Sequence, residues 1–307
     1  MNTRARFLLL IAGTWVFQGT STAFAQAAWI GESVVYTKPS RDVKFGDVVE
    51  GKQVYFPFSG IMPIKVRDDR EGWLRIFDGD REGWVPKADF VLVRDAPAYF
   101  NRRVHADPRD TFALYMRGEG WLRNGELDFA IMDFDVCIRL NPTDVKAFNS
   151  RGLAWSNKKN YDQAIRDYGA AIRLDPAYAL AFNNRGLVWR IKKDYAKAIR
   201  DFDDAIRHDP KLAMAINNKA YLLATCADDN LRDVARAQEL MIEAVKLRGA
   251  SPYNEQTLGA IAAAQGRFAD AIKHQKTALE DRTYAKTEGT KALERLKWYE
   301  EMKPYRE

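Results

Sequence analysis

The chain has 307 residues, 47% of them hydrophobic and 29% charged, with 19 Gly and 11 Pro. This mix excludes collagen-like, wholly disordered and polytopic membrane proteins and supplies enough apolar material to bury a core. The formal net charge of +6 alternates with acids, as at Arg166-Asp167 and Arg200-Asp201, instead of gathering into the stripe of a nucleic-acid binder. No nucleic-acid partner is expected, and at roughly 150 residues per domain the length predicts about two folded units.

Residues 1–25 carry Arg4 and Arg6 with no acid, an apolar run from Phe7 to Phe17 broken by Gly13, and Ala23-Phe24-Ala25 before Gln26. This order reads as a cleaved export signal. The run is shorter than the ~20 residues that cross a bilayer as a helix; an uncleaved anchor is the alternative. No Cys follows to accept a lipid. The expectation is an exported soluble protein, periplasmic or secreted, with no membrane insertion after cleavage.

From Trp29 to Val93 the hydrophobic period is near two, broken by Gly, Pro and Asp, with β-branched and aromatic runs such as Val34-Val35-Tyr36 and Val54-Tyr55-Phe56. Five or six short strands are predicted. Trp73 to Phe77, then Asp78-Gly79-Asp80, then Gly83-Trp84-Val85 reads as a hairpin. About 65 residues of this kind suit a small closed barrel, for which Trp73 and Trp84 would supply core volume. Glu71-Gly72-Trp73-Leu74 followed by Arg81-Glu82-Gly83-Trp84-Val85-Pro86-Lys87-Ala88-Asp89 resembles the end of a bacterial Src-homology-3-like domain spanning residues 28–94. The resemblance implies a helical turn at Pro86–Asp89, a last strand at Phe90–Val93, and a role in binding cell-wall peptides (peptidoglycan) or protein partners.

Beyond the strands the sequence repeats itself. Pro108, Pro142, Pro176 and Pro210 stand 34 residues apart, and the same step separates Gly118, Gly152 and Gly186; Ala130, Ala164 and Ala198; Phe134, Tyr168 and Phe202; and Cys137, Ala171 and Ala205. Phe148, Gly152 and Trp155 fall on one face of a helix, as do Ala164, Tyr168 and Ala171 on a second. Each unit is therefore a pair of helices: small residues sit where backbones approach, an aromatic fills the groove, and proline stops the second helix. Neither helix buries its stripe alone, so the pairs must stack into an open superhelix.

These columns resemble the tetratricopeptide repeat. Full units are expected at 111–144, 145–178, 179–212, 213–251 and 252–280, after a half unit at 96–108 whose missing partner the barrel would replace, giving a repeat region of 95–280. The fourth is lengthened by Asp228–Asp233, the fifth carries Gln275 in the aromatic column, and a capping helix is expected within 281–307, with Leu293, Leu296 and Trp298 on it. The fold class is thus a small all-β barrel followed by an all-α solenoid. Cys137 and Cys226 fall in different units with two whole units between them, beyond disulfide reach, and are expected to act as apolar filler.

Catalytic parts are few. His105, His208 and His274 are the only histidines, none with ligands at metal spacing, and no nucleophile motif, phosphate loop or paired-carboxylate cleft stands out. No enzyme activity, cofactor or metal is expected. The resemblance implies instead that first helices line a concave groove, offering Lys146, Asn149, Leu153 and Ser156, then Leu180, Asn183, Leu187 and Arg190, then Met214, Asn217 and Tyr221, with Phe112, Tyr115 and Leu122 in the first unit. Asn149, Asn183 and Asn217 form a column able to bond an extended peptide backbone, or else to satisfy local groups. The family's two-carboxylate clamp is absent, since its asparagine column holds Glu119, Leu153, Leu187 and Tyr221. Arg117, Arg151, Arg185 and Lys219 are expected to pack their stems between repeats with their heads in solvent. The function expected is a non-catalytic scaffold that holds a protein or peptide in the groove; the alternatives are wall-peptide binding by the barrel and a wall-modifying hydrolase.

Overall fold

The computed structural model describes residues 33–37, 44–49, 52–57, 64–70, 72–77 and 82–307; the expected export signal lies outside them. The chain divides into two compact units, Met1–Tyr99 and Phe100–Glu307.

Among the described residues the first unit has seven strands: β1 (Ser33–Tyr36), β2 (Lys44–Val49), β3 (Lys52–Pro57), β4 (Ile64–Arg70), β5 (Trp73–Phe77), β6 (Glu82–Pro86) and β7 (Phe90–Leu92). They pair antiparallel in the order β3-β2-β6-β5-β4-β1-β7. Among the described residues no pairing links β3 to β7, so the pairings show an antiparallel sheet and do not include the closure of a barrel. The β5–β6 hairpin forms with Arg75 opposite Trp84, and the turn Lys87–Asp89 precedes β7 as expected. Strand alternation decides the core. Val34, Val66, Leu74, Ile76, Val85, Phe90 and Leu92 are buried. Trp73, one step out of phase with Leu74, lies on the opposite face and is 39% exposed, which corrects its expected core role. Trp84 is half-buried.

The second unit is helical: α1 (Ala96–Ala106, entering from the first unit), α2 (Thr111–Asn124), α3 (Leu127–Leu140), α4 (Val145–Asn157), α5 (Tyr161–Leu174), α6 (Ala179–Ile191), α7 (Tyr195–His208), α8 (Ala213–Thr225), α9 (Val234–Arg248), α10 (Pro252–Ala264), α11 (Phe268–Glu280) and α12 (Arg282–Glu300). Capping explains the boundaries. Asp110, Asp144, Asn160, Asp194, Asp233, Ser251 and Asp281 each accept from an amide three residues on, satisfying a donor that the helix leaves open. At the far ends, Asn141, Asp175 and Asp209 are extended, as a residue before proline must be.

The small-residue columns work by contact. A Cβ on Gly118, Gly152 or Gly186 would sit 2.8 Å from the ring of Phe134, Tyr168 or Phe202 respectively, and those three rings are buried. In the fifth unit Gly259 instead faces the Ala271 carbonyl at 3.2 Å, because Gln275 has replaced the aromatic. Phe100 and Phe112 meet edge to face at 5.9 Å and Val104 joins the Leu114–Cys137–Ala147 cluster, so the second half of α1 touches the first full unit.

The arginine column takes a different place from the one expected. Arg117, Arg151 and Arg185 each form two-point pairs with Asp133, Asp167 and Asp201 of the same unit, at 2.6–2.9 Å. Arg151 also reaches back to Asp135 at 2.7 Å, and Arg117 to Asn101. The heads are thus bound within and between repeats instead of in solvent, since a planar guanidinium matches a carboxylate with two parallel bonds. Lys219, lacking that fork, pairs with Asp203 alone. Cys137 and Cys226 are free and buried in separate clusters; burial pushes the Cys137 thiol up to about 12.

Candidate functional site

First helices pack against the first helix of the next unit along α2, α4, α6, α8 and α10, which makes theirs the inner surface of the stack. The asparagines on this surface face each other. Asn184 donates to Asn149 at 3.1 Å and Asn218 donates to Asn183 at 2.9 Å, while Asn217 donates to Asn254 at 2.8 Å and accepts from Thr257. Asn183 and Asn217 are buried. Their amides are therefore spent in tying units together, the local alternative, and are withdrawn from a backbone ladder for a bound peptide. Only Asn149 of the three stays half-exposed. The Asn183-Asn184 and Asn217-Asn218 doublets carried the signal: two amides in sequence can face two neighbours.

The groove that remains divides in two. Over the first three units, Lys146 is exposed and Leu153, Ser156, Leu180 and Leu187 are half-buried; Leu153 packs on the Leu122–Phe134 cluster, Leu180 on that of Phe182 and Ala215, and Leu187 on that of Tyr195 and Phe202. Met214 is 39% exposed. Beside them lies a polar group that the sequence did not assemble. The Tyr115 hydroxyl and Ser150 hydroxyl are 3.1 Å apart, and Glu119 is buried among them. Burial holds the Glu119 carboxyl above its ordinary range, against hydrogen bonds from Ser150 and Tyr115 and the charge of Arg123. Burial, with the charges of Glu119 and Asp144, raises the Tyr178 phenol to about 12.

Towards the end of α8 in the fourth unit the inner surface is covered by the chain itself. Tyr221 is 2% exposed, with Arg190 5.3 Å from its ring and Arg190 in turn 3.5 Å from Glu307. Arg190, expected to be free in the groove, is engaged by Glu307 beyond α12, and Tyr221, expected to be free as well, is buried beneath Arg190. That helix, Arg282–Glu300, lies within the expected 281–307, and it turns Tyr284, Ala292, Arg295 and Tyr299 inward. Leu293 and Trp298, expected on its capping face, are exposed. Arg295 donates to Gln256 and Tyr284 at 3.0 Å, a polar seam in place of the earlier aromatic packing.

The histidines sit apart from one another. His274 bonds Glu255 at 2.7 Å and His208 stacks on Phe182 at 5.6 Å. Among the described residues no group of three His, Cys, Asp or Glu is placed to hold a metal, and no helix is long and apolar enough to cross a membrane.

This arrangement of close-packed helix pairs with a ladder of inner-face side chains defines a helical-repeat protein. The family models for the TPR repeat and the tetratricopeptide repeat match residues 157–189 and 179–212; the chain carries tetratricopeptide repeats. No curated protein matches the sequence. Among solved structures, a tetratricopeptide repeat protein from Parabacteroides merdae is similar at 18% identity and a TM-score of 0.53, over 68% of this chain and 78% of that one. Yeast Tom70 is similar at 20% identity and a TM-score of 0.52, over 66% of this chain and 42% of its own. The Cut9–Hcn1 hetero-tetramer of APC/C gives 16% identity and a TM-score of 0.51, over 64% and 36%. The chain thus spans less than half the length of the latter two, and the likeness is one of fold. Proteins built from such repeats are generally scaffolds for protein interaction and typically non-catalytic.

Proposed function

We propose that this protein is a non-catalytic scaffold of the cell envelope that holds an extended polypeptide on the inner face of its first three helical units. The observation that carries the reading is the run of half-exposed Leu153, Leu180 and Leu187 flanked by Lys146, Asn149 and Ser156. Apolar side chains at this spacing give contact area, and the polar edge fixes orientation. A preformed, stacked surface loses little entropy on binding, so the ordering cost falls on the partner. The export-type segment at residues 1–25 supports placement outside the cytoplasm. The wall-peptide alternative draws no support from the comparisons, which match the helical residues.

The test is affinity capture from a native envelope extract by the mature chain and by its Leu153→Lys/Leu187→Lys variant. The expected result is loss of specific partners from the variant while its circular dichroism melt keeps its shape. Equal recovery of every protein by both chains discards the groove reading, and recovery of the chain in the cytoplasmic fraction discards its placement in the envelope.

A further inference from the structure

The residues after α12 turn back over the fourth unit. Met302 takes a left-handed φ of 56°, and the amides of Met302 and Lys303 donate to the carbonyls of Tyr299 and Trp298 at 3.0 and 2.9 Å. This reversing turn ends the helix, and Pro304 prevents its resumption. Tyr305 then packs beside Tyr299 on Ala262, Ala263 and Ala271, with the Arg295 guanidinium 6.0 Å from its ring.

Beyond it the chain is held as a bound peptide is held. The Glu307 amide donates to the Thr225 carbonyl at 2.9 Å, the Tyr195 hydroxyl donates to the main-chain oxygen of Glu307 at 2.9 Å, and Arg306 donates to the Ala224 carbonyl at 3.3 Å. The Glu307 carboxylate lies 3.5 Å from Arg190. Main chain is thus engaged through donor and acceptor alike, an aromatic is seated upstream, and one acid is paired with a groove arginine. That is the division of labour of extended-peptide recognition. The carbonyls used belong to the last turn of α8, which has no intrahelical donors for them; any occupant offering an amide and a cation there satisfies the same need.

We propose that residues 303–307 are a self-ligand of the surface that runs from α6–α8, where Glu307 is held, to α10 and α11, where Tyr305 is seated, and that the partner taken there is an extended segment with an aromatic residue followed two positions later by a carboxylate, which binds by displacing them. The proposal rests on the scaffold reading and concerns the adjoining end of the groove, from Arg190 on α6 to the end of α8. A tethered occupant acts at a high effective concentration, so the intact chain takes such a segment with reduced apparent affinity.

A fluorescein-labelled peptide of residues 300–307 is titrated by anisotropy into the full chain and into a chain ending at Met302. The shortened chain should bind it about tenfold or more tightly than the full chain. Adding Arg190→Met to the shortened chain, or Gln in place of Glu307 in the peptide, should weaken that binding. Equal binding by full and shortened chains, or binding by neither, overturns the proposal. Should the shortened chain fail to fold, the full-length Glu307→Gln chain carries the test: it should take the unaltered peptide more tightly than the wild-type chain, and equal affinities overturn the proposal. Since Leu153 and Leu187 are intact throughout, the scaffold reading and this one can fail separately.

Discussion

Units one to three and units four to five share a repeat pattern but solve the same packing problem differently. In the first group a glycine meets a buried aromatic ring, and an arginine forks onto a buried aspartate, at every 34-residue step. In the second, Lys219 replaces the fork, a longer connection from Cys226 to Asp233 separates α8 from α9, and Gln275 stands where a ring should be. There α10 packs more extensively on α8 than on α9, the reverse of the preceding unit, and α12 with its trailing residues covers the inner face. The regular units leave most of that face open; at the irregular units α12 and residues 303–307 pack on it.

The sharpest way to break this contrast is at the arginine ladder. Arg151→Leu strands Asp167 and Asp135, and removal of one partner from a largely buried pair costs about 3 kcal/mol. Lys219→Ala releases only Asp203, which is half-exposed, and should cost under about 1 kcal/mol. Urea unfolding midpoints compare them, and equal losses would erase the distinction between the two groups.

A smaller effect is expected at the glycines. Gly186→Ala gains about 1 kcal/mol of helix propensity but drives a methyl into the Phe202 ring, a clash of about 1–3 kcal/mol, so a net loss of about 1 kcal/mol is expected in thermal melts. Gly259→Ala, facing a carbonyl at the looser 3.2 Å, should lose less. A Gly186→Ala protein at least as stable as the wild type would contradict the close approach.

The smallest is a pH effect confined to the open group. Glu119 is an acid whose folded pKa lies above its unfolded value because burial disfavours its charge. The native state then holds the proton more tightly, so stability is greatest below the unfolded value and falls as pH rises through the folded one. Glu119→Gln should flatten this decline above about pH 4.5 in denaturation curves, whereas an unchanged slope would place the carboxyl in water.

The repeat was legible because backbone packing demands particular residue sizes at fixed spacing. Gly152 opposite Tyr168 and Pro176 after Asp175 are steric requirements, and steric requirements leave columns in a sequence. The hairpin at Trp73–Pro86 was legible for the same reason, through alternation and turn chemistry. The phase of Trp73 was also present, one position from Leu74, but its size argued for the core and strand geometry overruled it. The asparagine column illustrates the limit for the site. Spacing put Asn149, Asn183 and Asn217 on one face, yet whether an amide there meets a ligand or a neighbouring Asn depends on distances between helices. The Tyr115–Ser150–Glu119 cluster joins adjacent first helices, and no period marks it.

Sequence alone determined the helix pairs and their 34-residue step, because each follows from local sterics, capping and hydrophobic phase; which helices face inward came from the resemblance. Tertiary structure decided which inner-face side chains stay free. Arg190, Tyr195 and Thr225 meet Glu307 across the fold, and contact between residues so far apart along the chain is set by how stacked units curve and where the last helix ends.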